Sequence, residues 1–165
     1  MIRPATLNDV ETIHQLAVEI WPDTYRAILT NEQIEYMMDM MYSKKVLFQS
    51  IETNEQEFYL LIENEKAIGF IAIKKLEIPS TIKLNKIYIL RSNQGKGYGK
   101  LLIDFTIDLC KNIGADLLQL NVNRNNPALS FYQKLGFKII KEENILIGKG
   151  YFMDDYIMQM KIDNL

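Results

Sequence analysis

The densest chemistry in the sequence lies in one stretch, Arg91-Ser92-Asn93-Gln94-Gly95-Lys96-Gly97-Tyr98-Gly99-Lys100. Before it, Ile82 to Leu90 alternates and is rich in β-branched and aromatic residues, which predicts a strand. After it, Leu101 to Cys110 is mostly apolar, with Lys100, Asp104, Asp108 and Lys111 as a polar stripe at helical spacing, which predicts a helix with one wet edge. Glycines therefore sit where a strand becomes a helix. The first N–H groups of a helix have no intrahelical partner, and the helix dipole places partial positive charge beside them. Glycine removes the Cβ atoms that would keep a ligand off the backbone, and Lys96 and Lys100 add charge. The stretch is a candidate phosphate cradle. It is not a mononucleotide loop, because Lys100 is followed by Leu101 and Asn93 stands where the first glycine would be. A dinucleotide fingerprint needs a different glycine spacing near the start of a βαβ unit, and here a long segment precedes the loop.

A second constellation follows. Asp116 to Val122 predicts another strand, and the strand–helix–strand order implies a crossover and a parallel pair. Asn126 then precedes Pro127, the favoured pairing of an N-cap with the first helical position, and Gly136 closes the helix that carries Phe131-Tyr132-Gln133-Lys134-Leu135.

Gln94, Gly97 and Gly99 match a Gln/Arg-x-x-Gly-x-Gly/Ala loop, and the strand, Asn126, Ala128 and Phe131-Tyr132-x-Lys134-Leu135-Gly136-Phe137 form its companion motif. Together they resemble the GCN5-related N-acetyltransferase (GNAT) superfamily, and the order of flanking elements is similar over essentially the whole chain. The resemblance implies one domain over residues 1–165. Its fold would be α/β (α+β): a mixed, mostly antiparallel twisted sheet of about seven strands, splayed between strands 4 and 5, with helices on both faces. Strands 4 and 5 would be roughly 82–90 and 117–122, with coenzyme A between them. The pyrophosphate of acetyl-CoA would rest on Gln94, Gly95, Lys96, Gly97, Tyr98, Gly99 and Lys100. Its pantetheine would pair with the backbone of Ile87, Tyr88 and Ile89. Asn126 would meet the pantetheine or adenosine side, and Tyr132 would point its phenol at the thioester sulfur.

The reaction so implied is acetyl transfer to an amine in a ternary complex, without an acyl-enzyme. An alkyl amine is mostly protonated at neutral pH, and freeing its lone pair costs about 4–5 kcal/mol. Holding amine and thioester in contact removes roughly 7–11 kcal/mol of barrier. Positioning therefore outweighs deprotonation, and a strong base is not essential. Amides near Ile89 would stabilise a developing oxyanion, and Tyr132 is the candidate general acid for the leaving thiolate. Many family members carry a Glu where Asn85 stands, and an amide is no base. A water chain, Tyr25 or an acid elsewhere remain open for that role.

The elements that position these groups are read as follows. Ile2 to Ala5 is a short strand, and Thr6 to Asp9 caps a helix through about Trp21 with a buried stripe of Val10, Ile13, Ala17, Ile20 and Trp21. Pro22 stops that helix, leaving Trp21 to Arg26 as an aromatic bend. Thr30 and Gln33 fit a capping box for a helix to about Tyr42, and Ser43 caps another. Phe58–Glu63, Lys66–Leu76 and the strand before the loop form an antiparallel meander. Ile147 to Met160 reads as a hairpin closing the sheet. By family likeness, that tail and the bend near Trp21 and Tyr25 would wall the acceptor site together with Asn85. Asp154 and Asp155 would hold a cationic substrate or satisfy the turn.

Charge and composition narrow the partners. The chain has 165 residues, is 48% hydrophobic and carries net charge −2, so no electrostatic case exists for nucleic acid. No apolar run has the length of a membrane span, and no signal-peptide core follows Met1, so a cytoplasmic protein, monomer or homodimer, is expected. One cysteine and one histidine leave no metal constellation; Cys110 reads as a small buried hydrophobe and His14 as a structural histidine. Acids outnumber lysines between Asn31 and Glu57, either as solvated helix faces or as a field favouring a cationic acceptor. The resulting expectation is transfer to a small primary amine such as a polyamine. The alternatives are a protein or peptide amine of the ribosomal-protein N-terminus type, and a non-catalytic coenzyme A sensor.

Overall fold

The computed structural model describes residues 1–163. Its strands are β1 (Ile2–Pro4), β2 (Glu57–Glu63), β3 (Lys66–Lys75), β4 (Thr81–Ile89), β5 (Leu117–Asn123), β6 (Lys138–Gly148) and β7 (Tyr151–Lys161). Its helices are α1 (Val10–Tyr25), α2 (Asn31–Tyr42), α3 (Lys44–Glu52), α4 (Tyr98–Asn112) and α5 (Ala128–Lys134). The strand order is β1-β2-β3-β4-β5-β7-β6. β4 and β5 run parallel, while β1–β2, β2–β3, β5–β7 and β6–β7 are antiparallel. The β4–β5 ladder spans only Thr81↔Leu117 to Lys83↔Gln119, whereas β5 pairs with β7 from Leu117↔Lys161 to Asn123↔Asp155.

Two compact units divide the chain: Met1–Lys74 with Lys86–Leu102, and Lys75–Asn85 with Ile103–Leu165. β4 and α4 run through both. The first unit packs α1, α2 and α3 on one another. Its core includes Ile13, Trp21, Tyr42, Leu47, Leu60, Leu61, Phe70 and Ile71. The second unit buries Ile103, Thr106, Cys110, Leu118, Phe137 and Met158. Burial pushes the Cys110 thiol up to about 11, in keeping with a structural residue. The His14 Nδ1 lies 2.7 Å from the Tyr42 carbonyl oxygen, so Nδ1–H donates there and the ring ties α1 to the end of α2.

Local chemistry explains most boundaries. Thr30 accepts from the Gln33 N–H at 3.2 Å and Ser43 from the Val46 N–H at 3.4 Å, capping α2 and α3 as expected. Asn64 and Glu65 both have left-handed φ, 47° and 65°, which makes the tight β2–β3 hairpin. Gly114, at φ 72°, ends α4 with the Ala115 N–H reaching the Cys110 carbonyl at 2.9 Å.

Two expectations are corrected. Pro22 does not stop α1, which runs on to Tyr25. The hydrogen bond that proline omits would have ended on the Val18 carbonyl, and Val18 is 46% exposed, so water can serve that oxygen. Trp21 and Tyr25 meanwhile extend the buried stripe, so burial outweighs the missing bond. The aromatic bend is thus helix. The tail hairpin, too, is longer than expected. Its first arm begins at Lys138, it turns at Gly148-Lys149-Gly150, and Asp154 and Asp155 lie within β7 rather than in the turn.

Gly69 in β3 was not singled out from the sequence, yet an added Cβ there would stand 2.6 Å from the Tyr88 carbonyl oxygen and 3.2 Å from the Ile89 Cα. Only glycine permits that approach of β3 to β4. Gly69→Ala is expected to destabilise the protein by about 1–3 kcal/mol through overpacking. Thermal unfolding checks this, at about 2–4 °C per kcal/mol.

Candidate functional site

In the first unit, β4 delivers the chain through Ile87, Tyr88 and Ile89 into a 3₁₀ turn, Arg91–Asn93, and then the glycine loop. α4 begins at Tyr98, earlier than the sequence pattern suggested, so Gly99 and Lys100 lie in its first turn and the Leu101 N–H bonds the Gly97 carbonyl at 3.1 Å. Gly95 and Gly97 have φ of 74° and 84°, and a Cβ built at either would meet nothing within 4 Å. The loop is an open stretch of backbone before a helix N-terminus with lysines at positions 96 and 100, a donor set suited to a pyrophosphate.

The loop is tied down by side-chain hydrogen bonds to its neighbours. The Gln94 Nε2 donates to the Ile89 carbonyl at 3.2 Å, linking it to the end of β4. The buried Asn93 donates its Nδ2 to Glu63 Oε2 at 2.9 Å, and the Tyr98 hydroxyl donates to Glu63 Oε1. Glu63 raises the Tyr98 phenol above the ordinary tyrosine range, keeping it a donor.

Trp21 and Tyr25 belong to the aromatic core of this unit, at 2% and 6% exposure. Their rings lie 4.2 Å apart, and the Tyr25 and Tyr88 hydroxyls meet at 3.3 Å. They brace β4 at Tyr88. Lys86, two residues before Tyr88 on β4, is buried with its Nζ 5.3 Å from the centre of the Tyr42 ring and 3.3 Å from Gln56 Oε1. The acids between Asn31 and Glu57 are all exposed, as solvated faces would be.

In the second unit, Asn126 Oδ1 accepts from the Ala128 N–H at 2.9 Å, which is the capping bond the sequence predicted, although the regular helix starts at Ala128. α5 then holds Tyr132, 8% exposed, with its ring centre 5.3 Å from that of Phe131 and 5.9 Å from that of Phe137. Asn85 is half-buried on β4.

Asp154 and Asp155 face opposite ways, as strand neighbours must. Asp154 takes a bidentate pair from Arg124 Nε and Nη2 at 2.9 and 3.0 Å, and the same guanidinium lies 4.8 Å from the centre of the Tyr156 ring. Asp155 is 6% exposed. Its Oδ2 accepts from Asn121 Nδ2 at 3.3 Å, and its buried Oδ1 has no hydrogen-bond partner. Burial pushes its carboxyl above the ordinary aspartate range, against the pull of Asn121 and the charge of Lys83. Asp155 is paired across the ladder with Asn123, whose side chain and carbonyl hold the turn leading into α5. Sequence reasoning missed Glu63, Asn93, Asn121 and Arg124, because each matters only through a partner far along the chain.

Among the described residues no group of His, Cys, Asp or Glu is arranged to hold a metal ion, and no helix is long and apolar enough to cross a membrane. Comparison with known proteins gives a consistent result. A family model described as an acetyltransferase (GNAT) domain matches residues 26–150. A spermidine N(1)-acetyltransferase from Thermoplasma acidophilum is 29% identical over 99% of this chain and 98% of its own. The [ribosomal protein bS18]-alanine N-acetyltransferase of Haemophilus influenzae is 39% identical over 64% of this chain and 69% of its own. The crystal structure of the PaiA N-acetyltransferase from Thermoplasma acidophilum in complex with coenzyme A superimposes with TM-score 0.82 at 30% identity, covering 98% of each chain. With the strand–loop–helix cradle, the parallel β4–β5 pair and the matched span in agreement, the chain belongs to the GNAT acetyltransferase family.

Proposed function

We propose that the protein transfers the acetyl group of acetyl-CoA directly to a primary amine of a small cationic acceptor of the polyamine class. The observation that carries the acceptor class is Asp155, a buried carboxylate with one oxygen unpartnered. A negative charge so placed lowers its energy by meeting a cation. Asp154 is already matched by Arg124 and has less to offer. The whole-chain likeness to a spermidine N(1)-acetyltransferase supports the same reading.

Acetyl-CoA supplies the activated thioester. The backbone amides from Gln94 to Lys100, with the two lysines, hold the pyrophosphate, and the backbone of Ile87, Tyr88 and Ile89 aligns the pantetheine. Asn126 keeps its amide N–H groups for the cofactor while its oxygen caps α5. Tyr132 would provide the proton at its phenol oxygen for the departing sulfur, and the proton that the acylated amine sheds would return through water to restore the phenol. Trp21 and Tyr25 act through Tyr88, fixing β4, and Asn85 contributes polarity rather than base strength. Cys110 takes no covalent part, since its thiol is buried and its pKa is pushed to about 11.

The test is thiol release from acetyl-CoA against polyamines, amino acids, aminoglycosides and N-terminal peptides. A polyamine acceptor at least tenfold better in kcat/KM than any peptide is expected. Preference for an alanine-terminated peptide would favour the second reading, a protein N-terminal acetyltransferase, which the likeness to the bS18 enzyme supports.

A further inference from the structure

We infer that Glu63, at the end of β2, is a positioning residue that sets the shape of the cofactor loop. The proposal rests on the reading of that loop as the pyrophosphate cradle. One carboxylate accepts from both flanks of the loop. Asn93 reaches Oε2 at 2.9 Å from the residue just before Gln94, and the Tyr98 hydroxyl reaches Oε1 from the first residue of α4. Only residues 94–97 lie between these anchors, and Gly95 and Gly97 among them are the positive-φ positions.

Each contact is well specified. The Asn93 amide is engaged at both ends, since the Ser92 hydroxyl donates to Oδ1 while Nδ2 serves Glu63, and its backbone N–H bonds the Leu90 carbonyl at 2.9 Å. Glu63 itself immediately precedes the two-residue Asn64-Glu65 turn, so its backbone is fixed by a tight hairpin. A carboxylate suits this job because it offers two acceptor atoms and no donor. A glycine-rich loop has many conformations to lose on binding, and pinning both ends in advance reduces that cost. Glu63 thus acts through the two flanks of the loop, its charge met by two donors.

The experiment measures dissociation constants on the full chain for coenzyme A, by calorimetry, and for pantetheine, which lacks the nucleotide and its pyrophosphate, by NMR titration. Wild-type protein is expected to prefer coenzyme A by at least a hundredfold. Glu63→Ala should weaken coenzyme A at least tenfold while leaving pantetheine within twofold. Glu63→Gln, which keeps one acceptor and can donate to the Tyr98 oxygen, should retain most of the preference. Equal losses for both ligands in Glu63→Ala, no loss for either, or a Glu63→Gln as weak as the alanine variant would overturn the proposal. Should Glu63→Ala fail to fold, Tyr98→Phe, which removes one anchor, decides: a selective loss of about threefold for coenzyme A supports the assignment, and an unchanged preference overturns it. Wild-type protein that does not distinguish the two ligands would instead reject the cradle reading.

Discussion

Tyr132→Phe is expected to lower kcat at least tenfold while the affinity for coenzyme A stays within twofold. The argument begins with packing. Tyr132 is 8% exposed, and its ring sits between Phe131 and Phe137, the latter edge-on at 5.9 Å. Phenylalanine preserves those contacts, so the substitution removes a hydroxyl and little else. If that hydroxyl gives its proton to the leaving sulfur, its loss is felt in the transition state and not in cofactor binding. A tenfold fall corresponds to about 1.4 kcal/mol, the scale of one hydrogen bond to a developing charge. An ordinary phenol, with pKa near 10, is a weaker acid than a thiol with pKa near 8.5, so donation of a hydrogen bond suffices for the effect. Steady-state thiol release and calorimetry on the same samples make the measurement. Unchanged turnover would dismiss the acid role and leave Tyr132 as an anchor for α5.

The parts of this site that could be read from the sequence are those whose meaning is local. Gln94 to Lys100 are legible from spacing alone, because a glycine turn before a helix N-terminus exposes backbone donors wherever it occurs. Asn126 and Pro127 are legible for the same reason, and the structure supplies the predicted capping bond to Ala128. Part of what was hidden depends on pairing across the chain, and part on which residues are buried. Glu63 looks like the polar end of a strand until Asn93 and Tyr98 meet it. Pro22 looks like a helix stop until Trp21 and Tyr25 are seen to continue the buried stripe. β6 offered little period-two signal because Ile139, Ile140 and Leu146 are 40%, 50% and 61% exposed, so no burial pattern shaped its composition. Asp154 and Asp155 were two adjacent acids in the sequence. Only the strand separates them, turning one toward Arg124 and the other inward beside Asn121.

That inward carboxylate gives the second large effect. Asp155→Asn is expected to make the protein more stable at neutral pH and a poorer enzyme for cationic amines. Asp155 is pushed above the ordinary carboxylate range first by burial. Asn121 on β5 and Lys83 on β4 pull it down, while Asp154 on β7 and Glu143 on β6 push it up. A carboxyl whose folded pKa is raised favours the folded state when protonated. Its contribution is therefore fully present below the unfolded pKa near 3.9 and is lost as pH rises through the folded value. At neutral pH the wild type bears that loss together with the unpartnered Oδ1. Asparagine removes the charge in nearly the same shape, so the gain at neutral pH should appear as a higher Tm, at about 2–4 °C per kcal/mol. The gain should shrink as pH is lowered and vanish below the unfolded carboxylate pKa, where both proteins are neutral at this position. In the enzyme assay the proposed role of Asp155 as counterion to the acceptor requires the KM for a polyamine to rise at least tenfold, with coenzyme A affinity unchanged. Thermal melts across pH and kinetics at saturating acetyl-CoA measure both effects. A variant that melts lower than wild type at neutral pH while its polyamine KM is unmoved would make Asp155 a structural partner of Asn121 and remove the main support for a small cationic acceptor. Raised stability with an impaired KM would mean that the protein holds a costly buried charge because its substrate supplies the counterion.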